Sequence, residues 1–291
     1  MADPGIQRHL SPGLPGADPQ WRRLCARPSQ RYLLYIPRNL SPNAPVVVAV
    51  HGISRNAAQM VLAFRPEAER RGVVLVAPYF GRKRFADYQR LNRSGYGRRA
   101  DRVLLEILDE VSALTGCSTR RVSLFGYSGG AQFVHRFAFV HPSRVHAMVM
   151  GAAGWYTLPS PAFPYPLGIG VNPRLKQARF SLPALLQVPS LVMVGENDVD
   201  RDPELRQRAE VNRLQGLDRV ERARAWVTEM RHAADLLGVE GQHELMLLPG
   251  ADHDFSACAR VPGMTFEVFE FFDRAAHKDA VRKYQEESIR C

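Results

Sequence analysis

No apolar run in this 291-residue chain approaches the roughly 18 to 20 residues needed to cross a bilayer, so no membrane span is expected. The opening residues, MADPGIQRHLSPGLPGADPQ, contain no apolar stretch of the kind a secretory leader needs, and a cytoplasmic location is the expectation. Cysteine is scarce: Cys25, Cys117, Cys258 and Cys291 lie far apart with no CxxC spacing. That argues against a disulfide framework and against a structural zinc site. There is no HExxH either, so neither metal nor cofactor is expected. Lysine occurs only at Lys83, Lys176, Lys278 and Lys283, so the formal charge of +10 is carried by arginine. Those arginines are spread along the whole chain rather than gathered into a stripe, which argues against a nucleic-acid partner.

What is present is a rhythm of short apolar runs and longer helical patterns. Residues 31–36, 46–50, 73–77, 122–125, 145–150, 191–194 and 244–248 read as strands. Their apolar character is continuous rather than alternating, as suits strands buried on both faces of a mostly parallel sheet. Helices fit between them. Asp101 is expected to cap one ending at Gly116, and Ala131–His141 forms another before Pro142. Asp202-Pro203 is expected to start a third reaching Leu214. Further helices cover Ala223–Leu237 and carry Phe266, Phe269 and Phe272 on a core-facing stripe. The expected architecture is a doubly wound α/β domain over 29–291, preceded by a flexible arm over 1–28. Residues 154–189 break the rhythm with seven prolines and several aromatics. They are expected to form a short cap over the site, with Trp155 and Tyr156 as substrate contacts.

The strongest local signal is Gly126-Tyr127-Ser128-Gly129-Gly130, between a predicted strand and a predicted helix. A serine on so sharp a turn needs glycine neighbours, and the turn lifts its hydroxyl off the sheet to a helix N-terminus. A hydroxyl is a weak nucleophile at neutral pH and needs a base. On such strand-to-helix elbows the acid and then the histidine follow the serine in the chain. His253 follows the last predicted strand and is the expected base. After the preceding strand, GENDVDRD offers Asp198, with Asp200 as the alternative acid. The Asp198, Asp200, Asp202 spacing resembles the start of a calcium loop, but Pro203 and Ala209 stand where glycine and glutamate are required. Expected oxyanion donors are the N–H groups of Gly129 and Ile53, the latter in the His51-Gly52 loop, with Ser54 as the alternative. Tyr127 is a further expected substrate contact. The basic stretch 81–99, with Arg82, Arg84, Arg90 and Arg93, is expected to border the mouth of the site.

Taken together, HG at 51–52, GYSGG at 126–130, GEND at 195–198 and GADHDF at 250–255 resemble the α/β-hydrolases. Within them the chain is most similar to the esterase and polyhydroxybutyrate-depolymerase-like branch, near the dienelactone-hydrolase-like proteins. The latter carry a cysteine nucleophile where this chain has Ser128. The resemblance, from about Tyr32 to Phe272, implies an ester hydrolase acting through Ser128, His253 and Asp198. The motifs name no substrate, but the basic stretch points to a small anionic ester and the aromatic insertion to one with an apolar acyl or aryl group. The alternatives are a peptidase or amidase with the same three residues, and a catalytically silent binding protein on the same fold.

Overall fold

The strands follow from the apolar runs. In chain order they are β1 (Gln20–Leu24), β2 (Arg27–Tyr35), β3 (Val46–Val50), β4 (Val74–Tyr79), β5 (Val122–Tyr127), β6 (Val145–Gly151), β7 (Ser190–Gly195) and β8 (His243–Leu248). The computed structural model describes residues 15–93, 97–171, 173–175, 178–261 and 263–290. The strands form one sheet in the order β1-β2-β4-β3-β5-β6-β7-β8. The pairings β1–β2 and β2–β4 are antiparallel, and the rest of the sheet is parallel. β3, β5 and β7 are buried at every position, as strands covered on both faces must be.

Among the described residues eight α-helices connect and cover the sheet: α1 (Ala57–Arg71), α2 (Ala100–Thr115), α3 (Gly129–Val140), α4 (Leu182–Leu186), α5 (Ala209–Gln215), α6 (Arg219–Leu237), α7 (Phe255–Arg260) and α8 (Met264–Arg290). Asn56 caps α1 by accepting from the Gln59 N–H at 3.1 Å, and Asp218 caps α6 by accepting from Glu221 N–H at 2.8 Å. Among the described residues no helix is long and apolar enough to cross a membrane.

Several expectations are corrected. Gln20–Leu24, expected within a loose arm, pairs with β2 as an edge strand, and the first fourteen residues of that arm lie outside the described residues. Asp101 does not cap α2. It lies inside the first turn, fully buried, and its carboxylate binds Arg99 and His141. Asp202 does not start a helix reaching Leu214: it accepts from the Glu204 and Leu205 N–H groups in a turn, and α5 begins only at Ala209. Phe266 is exposed beneath Arg70 and Arg71 rather than in the core.

The strand order positions the site. After β3 the chain turns outward to β4; after β5 it turns the opposite way to β6. β3 and β5 are neighbours, so their carboxyl ends flank a crevice where the winding reverses, the usual place for a ligand in an open α/β sheet.

Candidate active site

Ser128 follows β5 at that crevice, with φ 52° and ψ −111°, a conformation a non-glycine residue rarely adopts. Its neighbours make the turn feasible. A Cβ on Gly130 would lie 2.0 Å from the Val50 carbonyl oxygen, and one on Gly126 would lie 2.4 Å from Gly130. Only glycine lets the elbow pack this closely on β3. The turn is tied down by Ser128 N–H donating to Gly151 O at 2.7 Å. Ser128 caps the twelve-residue α3, so its hydroxyl stands at the positive end of a helix dipole.

β7 and β8 bring the partners. His253, after β8, places Nε2 3.2 Å from Ser128 Oγ and Nδ1 2.8 Å from Asp198 Oδ2. Asp198, after β7, is only 2% exposed, whereas Asp200 is exposed and outside this group. The other Asp198 oxygen accepts from Arg219 Nη1 at 3.1 Å, and the same nitrogen binds Asp202 at 2.5 Å. Burial, the largest single influence, pushes the Asp202 carboxyl up, but the hydrogen bond and charge of Arg219 together with the Glu204 and Leu205 N–H groups outweigh it and hold the pKa below the ordinary value. Arg219 carries no local sequence signature: it lies in the first turn of α6, and only tertiary packing brings it to Asp198.

The β3 loop stands beside the serine. A Cβ on Gly52 would lie 3.6 Å from the Ser128 Cβ. His51 is buried, and burial lowers its pKa to about 4, so it is neutral near pH 7. Its Nε2 accepts from the Phe80 N–H at 3.0 Å, which assigns the proton to Nδ1 and makes Nδ1 the donor to Gly52 O at 2.9 Å. The Gly52 carbonyl also accepts from Arg55 N–H at 3.1 Å. In a trans peptide C=O and N–H point opposite ways, so this clamp turns the Ile53 N–H away from His51. The Tyr88 hydroxyl, donating to His51 O at 2.9 Å, braces the same loop.

Tyr127 lines a cavity of about 690 Å³ together with Ser128, His253, Ile53, Met60 and Phe255. Its hydroxyl donates to His253 O at 3.1 Å, so it also holds the histidine loop. Glu204, which no local pattern singled out, reaches the same cavity.

The expected contacts Trp155 and Tyr156 are placed elsewhere. Tyr156 is fully buried and stacks on Trp226 of α6 with ring centroids 5.3 Å apart. Trp155 lies against the guanidinium groups of Arg136 and Arg206, in a small cluster with Leu167 and Val211. Trp226 Nε1–H donates to Thr157 O, and Thr157 N–H donates to His135 Nε2, each at 2.9 Å. The insertion therefore begins by packing onto α3 and α6, and none of its described residues lines the cavity at Ser128. Of the basic stretch, Arg82 lines that cavity, whereas Arg90 and Arg93 turn inward to the buried carboxylate of Asp87.

No family model matches the chain, and no curated protein sequence matches it. Solved structures do. A poly(3-hydroxybutyrate) depolymerase from Bordetella parapertussis aligns with a TM-score of 0.70 and 27% identity, over 83% of this chain and 88% of that one. Poly(aspartic acid) hydrolase-1 from Sphingomonas sp. KT-1 aligns with a TM-score of 0.72 and 24% identity, over 85% and 97%. An S-formylglutathione hydrolase from Agrobacterium tumefaciens aligns with a TM-score of 0.54 and 16% identity, over 84% and 90%.

Proposed function

We propose that this chain, which has the α/β-hydrolase fold, hydrolyses a carboxylic ester through an acyl-enzyme on Ser128. The observation that carries the reading is the continuous hydrogen-bonded line from Ser128 Oγ through His253 to the buried Asp198 carboxylate, set on a strained elbow at the winding reversal. The solved structures it resembles, named as a depolymerase and as hydrolases, support hydrolytic chemistry.

Each step follows from the residues. Ser128 Oγ attacks the ester carbonyl carbon while its proton passes to His253 Nε2. A separation of 3.2 Å is long for this bond but ordinary for an enzyme without substrate. Asp198 holds the Nδ1–H tautomer and stabilises the imidazolium. The carbonyl oxygen becomes an oxyanion, for which the Gly129 N–H at the α3 terminus and the Ile53 N–H turned out by His51 are the donors. Collapse breaks the C–O bond, and the leaving alkoxide takes the proton from His253. Water then attacks the acyl carbon, giving its proton to His253. The second collapse returns that proton to Ser128 and releases the acid.

The second reading is amide cleavage by the same residues, favoured by the structure named as a poly(aspartic acid) hydrolase. A panel of nitrophenyl esters of rising acyl length, run beside matched anilides, separates the two. Ester kcat/KM is expected to exceed anilide kcat/KM by on the order of a hundredfold or more, because an anilide is the poorer leaving group. Anilide turnover equal to or above that of the esters would favour the amidase, and no turnover of either would leave a silent binding protein.

A further inference from the structure

A second cavity, of about 650 Å³, adjoins the one at Ser128, and Ser54, Arg55 and Arg82 line both. Its wall carries Arg23, Arg31, Arg55, Arg82, Lys83 and Arg84 and not one carboxylate. Among the described residues none of these six is ion-paired. Elsewhere Arg27, Arg65, Arg71, Arg90, Arg99 and Arg121 each hold a carboxylate. Unpaired like charges gathered in one groove repel each other, and an anionic ligand relieves that repulsion.

The groove is built as a track rather than a cup. Arg23 on β1 is directly opposite Arg31 on β2, and Arg31 is directly opposite Tyr79 at the end of β4. This row crosses from the catalytic loop after β3 to the sheet edge, three strand spacings or roughly 14 Å. Two of its cations are preset. Arg31 lies over the rings of Trp21 and Tyr79 at 5.2 and 5.1 Å. Arg55 lies 4.2 Å over Tyr88, with Nη1 donating to Phe80 O and Nη2 to Phe85 O. Arg82, Lys83 and Arg84 are exposed and free to reach a ligand.

We propose that this basic groove is the docking track for an extended substrate that bears repeated carboxylates along its chain, with the scissile carbonyl at Ser128. The site of cleavage rests on the hydrolase reading; the binding does not. An extended chain advances about 3.3 Å per residue, so the track takes about four repeats.

The test uses Ser128→Ala protein, which binds without turnover, and fluorescein-labelled oligo-aspartates of increasing length, followed by anisotropy. Affinity is expected to rise up to about four to six residues and then flatten. It is expected to fall about tenfold or more between roughly 50 and 300 mM salt. The double variant Arg82→Gln/Arg84→Gln is expected to lose about tenfold in affinity, while Arg213→Gln/Arg224→Gln, with the same loss of net charge on exposed helical positions, stays within about twofold. An oligo-asparagine of equal length binding as tightly would overturn the proposal. So would equal losses in the two double variants, or tighter binding of an oligothymidylate of matched charge. Oligo-aspartate binding together with a wild-type protein inert toward every ester and anilide keeps the groove and rejects the hydrolase.

Discussion

Arginines stand on two sides of Ser128 and are used in opposite ways. On the Asp198 side, Arg219 and Arg222 are buried at 2% and 0% exposure. Arg219 is spent on Asp198 and Asp202, and Arg222 on the carbonyls of Gly154, Gly216 and Arg206 and on Asn212. On the Arg82 side, the cations face an open groove and hold no carboxylate among the described residues. One residue type is thus buried on chain acceptors on one side and lines an open groove without a carboxylate on the other. The difference is expected to separate positions whose loss lowers turnover from positions whose loss weakens binding.

The largest expected effect is on the scaffolded side. Asp198→Asn should leave the protein folded and lower kcat by on the order of ten-thousandfold, because the amide favours the wrong imidazole tautomer. Asp200→Asn, at an exposed residue outside the hydrogen-bonded line, should stay within about threefold. Steady-state kinetics on the pair decide it, and a damaging Asp200→Asn would move the acid.

Arg219→Met sharpens the contrast next. It leaves Asp202 without its ion pair and one Asp198 oxygen without its donor, inside the protein. A stability loss on the order of 3 kcal/mol is expected in denaturant titration, with kcat lowered about ten- to a hundredfold and KM little changed. Arg219→Lys should recover part of kcat. A variant that raised KM alone would place Arg219 with the groove arginines instead.

These positions also show what local pattern can and cannot reveal. Ser128, His253 and Asp198 were legible because each follows a recognisable strand, and strand ends are the crevice of such a sheet. Arg219 was not, since its partner is 21 residues away and nothing in α6 marks it. Trp155 and Tyr156 suggested a substrate wall by composition; their burial depends on Trp226 and Arg136, which only the fold brings to them. β1 was hidden because an edge strand with one exposed face, QWRRL, lacks the continuous apolar run of a central strand. α1 was hidden by Pro66, which normally interrupts a helix and here lies inside one.

A further expectation concerns the scaffold rather than the site. Burial lowers the pKa of His51 and His243 to about 4, and that of His135 well below its ordinary value. Between pH about 6.5 and 4 the unfolded chain binds protons that the folded chain refuses, so stability rises with pH across that window and is lost as pH falls. Each such histidine contributes on the order of 1.4 kcal/mol per pH unit within it. Urea titrations should show a falling midpoint from pH 6.5 downward and little change from these groups above it. A midpoint flat over the window would mean that the three imidazoles charge freely in the fold.

The central claim is that Ser128 is the nucleophile, and covalent labelling tests it most directly. A fluorophosphonate probe, followed by intact mass and peptide mapping, should add one adduct per chain, on Ser128. Ser128→Ala should take up none and lose ester hydrolysis by on the order of a thousandfold or more. An adduct on another residue, or Ser128→Ala activity within about tenfold of the unsubstituted protein, would contradict the account.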